Sequence, residues 1–179
     1  MTAPQISEQR PVLEERMSWP GRSHYCAAVH EEIVGDIVQV CGWVDRCRDH
    51  GQLLFVDIRD QSGIVQVVVD SDSDPDVWKI GQKLKLESVV CISGSVRLRQ
   101  QPNPHLATGK LEIVAEDLTL LNAMNRILPF PVGNSEETEM PGEETRLREK
   151  ILDLRRPTMA SNLRLRHEIV KFLRRYLED

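Results

Sequence analysis

Nowhere in this chain of 179 residues does an apolar run approach the roughly 18 residues that a membrane-crossing helix requires. The opening stretch, "MTAPQISEQRPVLEERMSWPGR", has no apolar segment of the kind that marks a secretory signal. Both absences point to a cytoplasmic protein that does not bind membranes. Residues 1–22 are polar and aperiodic and are expected to form a disordered extension, with Met17 serving as a start as well as Met1. The cysteines, Cys26, Cys41, Cys47 and Cys91, include no C-x-x-C pair, and no histidine stands at zinc-finger spacing from them. His24 and Cys26 offer only two ligands, so no metal is expected, and the four thiols read as reduced groups in or near a core. Missing too are a phosphate-cradling glycine loop, a credible Ser/His/Asp or Cys/His arrangement and a helical H-E-x-x-H. His30, His50, His105 and His167 are isolated and read as surface residues, and no catalytic residue is expected.

A cationic excess is also lacking. Lysine and arginine number 23 against 28 acidic residues, a net charge of −5, which argues against a protein that coats nucleic acid without regard to sequence. The basic residues are nevertheless clustered at Arg46 and Arg48, at Arg97 and Arg99, and from Arg146 to Arg175. A polyanion would be held at a site rather than everywhere.

What the chain does have is period-two patterning from about Asp36 to Leu121. "DIVQVCGWVDRCR", "LLFVDIRD" and "GIVQVVVD" read as three strands, with "DHGQ" and "QSG" as turns. In "SDSDPDVWKIGQKLK", Asp74 suits an N-cap before Pro75, and Val77, Trp78, Ile80, Gly81 and Leu84 fit a short amphipathic helix. Two further strands, "SVVCISGSVRLR" and "KLEIVAEDLTLL", flank the loop "QQPNPHLATG". The fold class is therefore mainly β. Three strands, a helix and two strands make the order of a five-stranded oligonucleotide- or oligosaccharide-binding barrel, over residues 23–122. Residues 123–145, rich in proline and acids, read as a linker. The segment 146–179 reads as helical: "TRLREKILDLRRP" forms one helix, and a longer one carries Met159, Leu163, Ile169, Val170, Leu173 and Leu177 as an apolar stripe. That stripe requires either docking on the preceding helix or a partner not in the sequence.

Side chains alternate across a strand. Leu54, Val56 and Ile58, then Val65, Val67 and Val69, then Val90, Ile92, Val96 and Leu98, are assigned inward. The opposite rows collect Phe55, lying with Asp57 and Arg59, together with Gln66 and Glu112; Arg48, Arg97 and Arg99 complete the set. Such barrels bind ligands on the face of their second and third strands. A ring there offers a stacking platform for an unpaired base, while Gln66, Glu112 and arginine can read base edges or hold phosphates. A single-stranded nucleic acid, a protein partner and a sugar all remain open from pattern alone.

The segments "SHYCAAV", "VQVCGWVDRCRDHGQLLFVDIRDQSGIVQVVV", "NPHLATGKLEI", "LNAMNRILPF" and "LREKILDLRRPTMASNLRLRHEIVKFLRRYLED" resemble the N-terminal part of a bacterial-type aspartate–tRNA ligase, in register from about His24 onward. The resemblance implies an anticodon-reading barrel, a hinge and the opening helices of a class II catalytic domain. It implies that Phe55 stacks on an anticodon base, Gln66 hydrogen-bonds to it, Arg48 and Glu112 read a neighbour, and Asn103 reaches the first anticodon position. Arg46, Arg97 and Arg99 are then candidate phosphate contacts. The implied partner is tRNA(Asp), with tRNA(Asn) suggested by His50, and no DNA. The family is homodimeric, whereas this segment alone is expected to be monomeric or loosely associating. Its class II motifs lie beyond Asp179, so ATP and magnesium belong to the full-length enzyme and the 179 residues are expected to be inactive alone. Glu149 and Lys150, and Ala27 and Ala28, depart from the family pattern. The alternative is a standalone interaction or regulatory barrel that binds a protein.

Overall fold

A computed structural model describes residues 21–72, 74–133 and 141–178. Residues 1–20 of the polar extension lie outside the described residues. The chain divides into two compact units, Met1–Ala123 and Met124–Asp179.

In the first unit, strands β1 (Ile37–Asp49), β2 (Leu53–Arg59), β3 (Ile64–Asp70), β4 (Val89–Leu98) and β5 (Leu111–Asn122) close a barrel in the order β1-β2-β3-β5-β4. Helix α1 (Pro75–Gly81) lies between β3 and β4 in the chain, as the pattern predicts. Every pairing is antiparallel except β3 with β5. The interior is a valine-rich lattice: Val38, Val40, Val56, Val65, Val67, Val69, Val90 and Val96 are buried with Leu54, Ile58, Ile92 and Ile113. β-Branched side chains are stiff at χ1 and favour the pleated backbone, so the residues that fill the core also specify the strands. Helix α1 starts as read: the Asp74 carboxylate accepts from Asp76 N at 2.8 Å, with Pro75 next to it. It ends against the barrel at Gly81, where a Cβ would meet Leu54 Cδ1 at 3.1 Å.

Three register shifts interrupt the ladders, the last leaving Leu121 extra at the end of β5 opposite Val89 and Val90. Val44 pairs with Ile58 and Arg46 with Asp57, leaving Asp45 as the extra residue in β1. Ser93 pairs with Asp117 and Gly94 with Ala115, leaving Glu116 extra in β5. Strict alternation would point Arg46 and Arg48 inward with Val38, Val40 and Val44; the extra Asp45 turns both arginines outward and brings Cys47 in against the core. In β5 the same device moves the inward row from Leu111, Ile113 and Ala115 to Leu118. The strands approach closely beside this second bulge, since a Cβ on Gly94 would lie 1.9 Å from Val114 O. One inward assignment fails: Leu98 is 57% exposed, because it ends β4 past the rim of the barrel, opposite Leu111.

The segment before β1 is fastened to the barrel by Asp60. Its carboxylate accepts from Cys26 N at 2.8 Å, from Ser62 N at 2.7 Å and from Gly63 N at 3.1 Å. Burial alone would raise this carboxyl, but the hydrogen bond from the Ser62 hydroxyl at 2.6 Å, followed by these backbone bonds, outweighs it and holds the group below its ordinary range.

The second unit contains α2 (Glu143–Arg148), α3 (Lys150–Arg155) and α4 (Pro157–Glu178). The single helix read over "TRLREKILDLRRP" is broken at Glu149, at φ −102° and ψ 43°. Its first turn begins at Glu143, inside the stretch read as linker, where Glu143 and Glu144 complement the positive helix N-terminus. Asp153 ties the pieces together, accepting from Arg146 Nε at 3.1 Å and Arg156 Nη1 at 3.3 Å. Along α4, Leu163, Ile169, Val170, Leu173 and Leu177 are exposed. Among the described residues no helix is long and apolar enough to cross a membrane.

The depressed Asp60 carboxyl makes a pH-dependent contribution to stability. It is fully present above the unfolded value near 4 and is lost as pH falls through the lower folded value. Asp60→Asn is expected to cost about 1 kcal/mol at pH 7 and to flatten the acid side of the stability curve. Thermal unfolding followed by circular dichroism at several pH values checks this, and an unchanged acid slope would contradict it.

Candidate functional site

The outward rows of β1, β2, β3 and β5 meet on one side of the barrel. Register places Arg48 opposite Phe55, Asp57 opposite Gln66, Gln66 opposite Glu112, and Glu112 opposite Arg97. A cleft of about 570 Å³ opens over them, lined among others by Arg48, His50, Phe55, Gln66, Arg99 and Glu112. The loop between β4 and β5 supplies its remaining wall, from Gln100 to Pro104. Six of the eight candidate residues, Arg48, Phe55, Gln66, Arg97, Asn103 and Glu112, thus share one cleft with Arg99, the seventh. Arg46 is the exception: it projects on the same face, opposite Asp57, without lining the cleft.

The polar groups form one connected chain. Arg48 Nη2 donates to both Asp57 carboxylate oxygens at 3.3 Å and to Gln66 Oε1 at 3.2 Å. Gln66 Nε2 donates to Glu112 Oε2 at 3.1 Å, and Arg97 Nε donates to Glu112 Oε1 at 2.7 Å. Although these side chains leave the outer surface of the barrel, Gln66 and Glu112 are each only 5% exposed. The hydrogen bond from Arg48 fixes which end of the Gln66 amide is oxygen, and so which end faces Glu112.

Phe55 stands at the edge of this chain, half-buried, with the His50 ring set edge-on to it at 5.3 Å between centroids and 88° between planes. One face of an aromatic ring held by an edge contact leaves the opposite area for stacking. Arg99 occupies the floor. Its Nε donates to Leu111 O at 2.8 Å, while its Nη2 is buried with no hydrogen-bond partner among the described residues. Burial lowers the Arg99 guanidinium from its ordinary value, with Asp57 and Glu112 pulling it back up, and an arginine so shifted remains a cation at neutral pH. Burial likewise raises the Asp57 carboxyl, opposed first by Arg48 and then by Arg99 and Arg46. Arg99 is therefore half-buried with one enclosed donor atom, while Arg97, half-exposed and paired to Glu112, keeps an outward surface.

Asn103 sits where the loop folds over the cleft. Its backbone N donates to Gly109 O at 2.8 Å and its side-chain oxygen accepts from His105 N at 3.0 Å. A Cβ at Gly109 would fall 1.8 Å from Asn103 O, so only glycine permits this closure. Two contributors were missed in the sequence. His50 was read as an isolated surface residue, yet the hairpin bond from His50 N to Leu53 O at 2.9 Å folds it back over Phe55. Asp57 shares the Phe55 row by alternation alone, and that was the available signal.

Similarity to known proteins follows the same division. Residues 38–121 match the family described as OB-fold nucleic acid binding domain, a tRNA anti-codon family. The aspartate–tRNA(Asp/Asn) ligases of Trichodesmium erythraeum and Acaryochloris marina are 48% and 44% identical over 160 residues. Those residues are 88% of this chain but 27% of each relative, so the chain spans about a quarter of their length. Among solved structures, the asparaginyl-tRNA synthetase of Pyrococcus horikoshii complexed with asparaginyl-adenylate is 28% identical with a TM-score of 0.72, covering 86% of this chain and 33% of that one. An OBody bound to hen egg-white lysozyme is 27% identical with a TM-score of 0.52, covering 59% of this chain and 99% of that one. The chain is thus similar to a portion of an aspartate–tRNA ligase, and its barrel has the OB-fold.

The loop closure makes a local prediction. Gly109→Ala is expected to cost about 1–3 kcal/mol and to remove exchange protection from the Asn103 amide, with the β2–β3 amides still protected. Hydrogen exchange read residue by residue checks it; an equally protected Asn103 amide would show that the close approach is not needed.

Proposed function

We propose that the barrel reads the anticodon loop of an aspartate tRNA, tRNA(Asp), as the anticodon-binding portion of a cytoplasmic aspartate–tRNA ligase. The observation that carries this reading is the single cleft in which one half-buried ring, Phe55, adjoins a hydrogen-bonded chain of amide, carboxylate and guanidinium groups. Phe55 stacks on one unpaired base, and Gln66 beside it bonds to that base's edge. Arg48 and Glu112 present a donor and an acceptor to the neighbouring base, and Arg99 offers its unspent Nη2 from the floor. Asn103, held in the loop, faces a further position. Arg46 and Arg97 meet phosphates at the margin.

Charge supports the same reading. On this face Arg46, Arg48, Arg97 and Arg99 stand against Asp57 and Glu112, within a chain whose total is −5. A local basic surface on an acidic protein selects a small number of phosphates and rejects duplex coating. The curated relatives are named for both Asp and Asn tRNAs, and tRNA(Asn) is accordingly included as a second ligand. Aspartate activation with ATP and magnesium, and homodimer formation, are assigned to the full-length ligase and to no residue of this chain.

A protein-binding role for the same barrel is the second reading, favoured by the likeness to an OBody in complex with lysozyme. The two separate in one measurement. Fluorescence anisotropy with an anticodon stem-loop of tRNA(Asp) is expected to show binding that a scrambled loop does not reproduce. Phe55→Ala should weaken it by about 1–3 kcal/mol, roughly 5- to 150-fold in Kd. Arg46→Ala should weaken both sequences alike and reduce the salt slope by about 1. Affinity indifferent to loop sequence and to Phe55 would discard the anticodon reading and leave the protein-binding one.

A further inference from the structure

Before the Asp45 bulge in β1, Cys41 lies directly across from Cys91 of β4 in the antiparallel register, and their Sγ atoms are 3.0 Å apart. The ladder parity decides what this pair can do. Val96 N donates to Asp36 O at 3.0 Å near one end, and Val44 N donates to Ser88 O at 2.9 Å at the other. Hydrogen-bonded pairs therefore fall on even residues of β1, and Cys41 belongs to a non-hydrogen-bonded pair. In such pairs the Cα atoms are about 4.5 Å apart and the side chains approach most closely. That spacing lies inside the range of about 4.4–6.8 Å that disulfides span.

The surroundings divide the roles of the two thiols. Cys41 is half-buried and meets solvent, whereas Cys91 is 3% exposed. Gln39 Nε2 donates to Cys91 Sγ at 3.1 Å, orienting that sulfur and stabilising negative charge on it. The other two cysteines are placed elsewhere: the Cys26 thiol donates to Ile58 O at 3.5 Å within the core, and Cys47 packs against the core from β1.

We propose that Cys41 and Cys91 form a redox-responsive dithiol, a modification site at which a low-molecular-weight disulfide closes a reversible cross-strand bridge. Cys41, as thiolate, attacks one sulfur of the small disulfide; the new S–S bond forms as the old one breaks, releasing one small thiol. The Cys91 sulfur then attacks Cys41 Sγ and displaces the second small thiol. Two protein thiols are oxidised, one small disulfide is reduced to two thiols, and the two protein protons end on the released thiols. Burial, followed by the hydrogen bond to Cys91, pushes the Cys41 thiol up to about 12. Exchange at neutral pH is therefore slow, and the bridge answers sustained oxidation rather than a brief pulse. Once closed it encloses a separation of 50 residues, which restricts the unfolded chain and raises stability.

The test uses the whole chain with oxidised glutathione at about pH 8.5, where more thiolate is present. The expected product has lost two hydrogens and gained no glutathione, its peptide map joins Cys41 to Cys91, and its Tm is higher by at least about 5 °C, all reversed by dithiothreitol. Cys91→Ser should stop at a stable glutathione adduct on Cys41. As a readout independent of oxidation, phenylarsine oxide should bind one per chain with release of water, and Cys41→Ser should abolish it. A wild-type chain that halts at the adduct, a bridge mapped to another pair, or arsenical binding that survives Cys41→Ser would each overturn the proposal.

Discussion

The hydrogen bond from Gln66 Nε2 to Glu112 Oε2 sits at the parallel junction of β3 and β5, where the barrel closes. Its partners are 46 residues apart in sequence and become neighbours only because β5 inserts between β3 and β4. The closure and the cleft are thus one event. Were β5 to pair in a register shifted by one residue, Glu112 would enter the valine core and Leu111 or Ile113 would face the cleft. The apolar cost of that slip protects the polar site: Ile113 is fully buried, and exposing it would forfeit about 1.5–3 kcal/mol before any penalty for enclosing a carboxylate.

A chain of polar groups so deeply set is expensive unless each member is satisfied. Glu112 is met on both oxygens, by Gln66 and Arg97, and Asp57 is met by Arg48. Arg99 departs from this economy, holding a buried Nη2 without a partner. The desolvation already suffered by that donor makes a ligand acceptor worth more there than at the solvent-facing Arg97, since forming the bond removes no water from the nitrogen. Pre-satisfied neighbours fix the geometry, and among the described residues the Arg99 Nη2 donor is left unsatisfied.

Much of this was legible in the sequence, and the failures share a cause. Alternation in β2, β3 and β5 correctly grouped Phe55, Gln66 and Glu112, because those stretches run without interruption past the residues concerned. The helix start was readable from Asp74 and Pro75, whose capping chemistry is local. Alternation could not justify Arg46 and Arg48, whose outward direction depends on Asp45 being skipped by the ladder. A bulge is a property of two strands together, and neither strand alone records it. His50 was likewise invisible as a ring neighbour until the hairpin folded, and Leu98 until the rim of the barrel was placed. The break at Glu149 interrupts a stretch whose helical periodicity continues across it, so no apolar pattern marked the stop.

The Asp45 bulge also explains how one strand serves two purposes. Before Asp45, β1 spends its inward row, Val38, Val40 and Val44, on the core and its outward row, Gln39 and Cys41, on the β4 seam. After Asp45 the outward row becomes Arg46 and Arg48, of which Arg48 lines the cleft, while the displaced Asp45 carboxylate accepts from Arg59, which also donates to Glu87. The residue expelled from the ladder is thus ion-paired to an arginine on the next strand, which it shares with Glu87. The β1 residues that line the cleft lie beyond the bulge, and Cys41 of the thiol pair lies before it. Modification at the seam can thus alter stability while the side chains that face the cleft keep their arrangement.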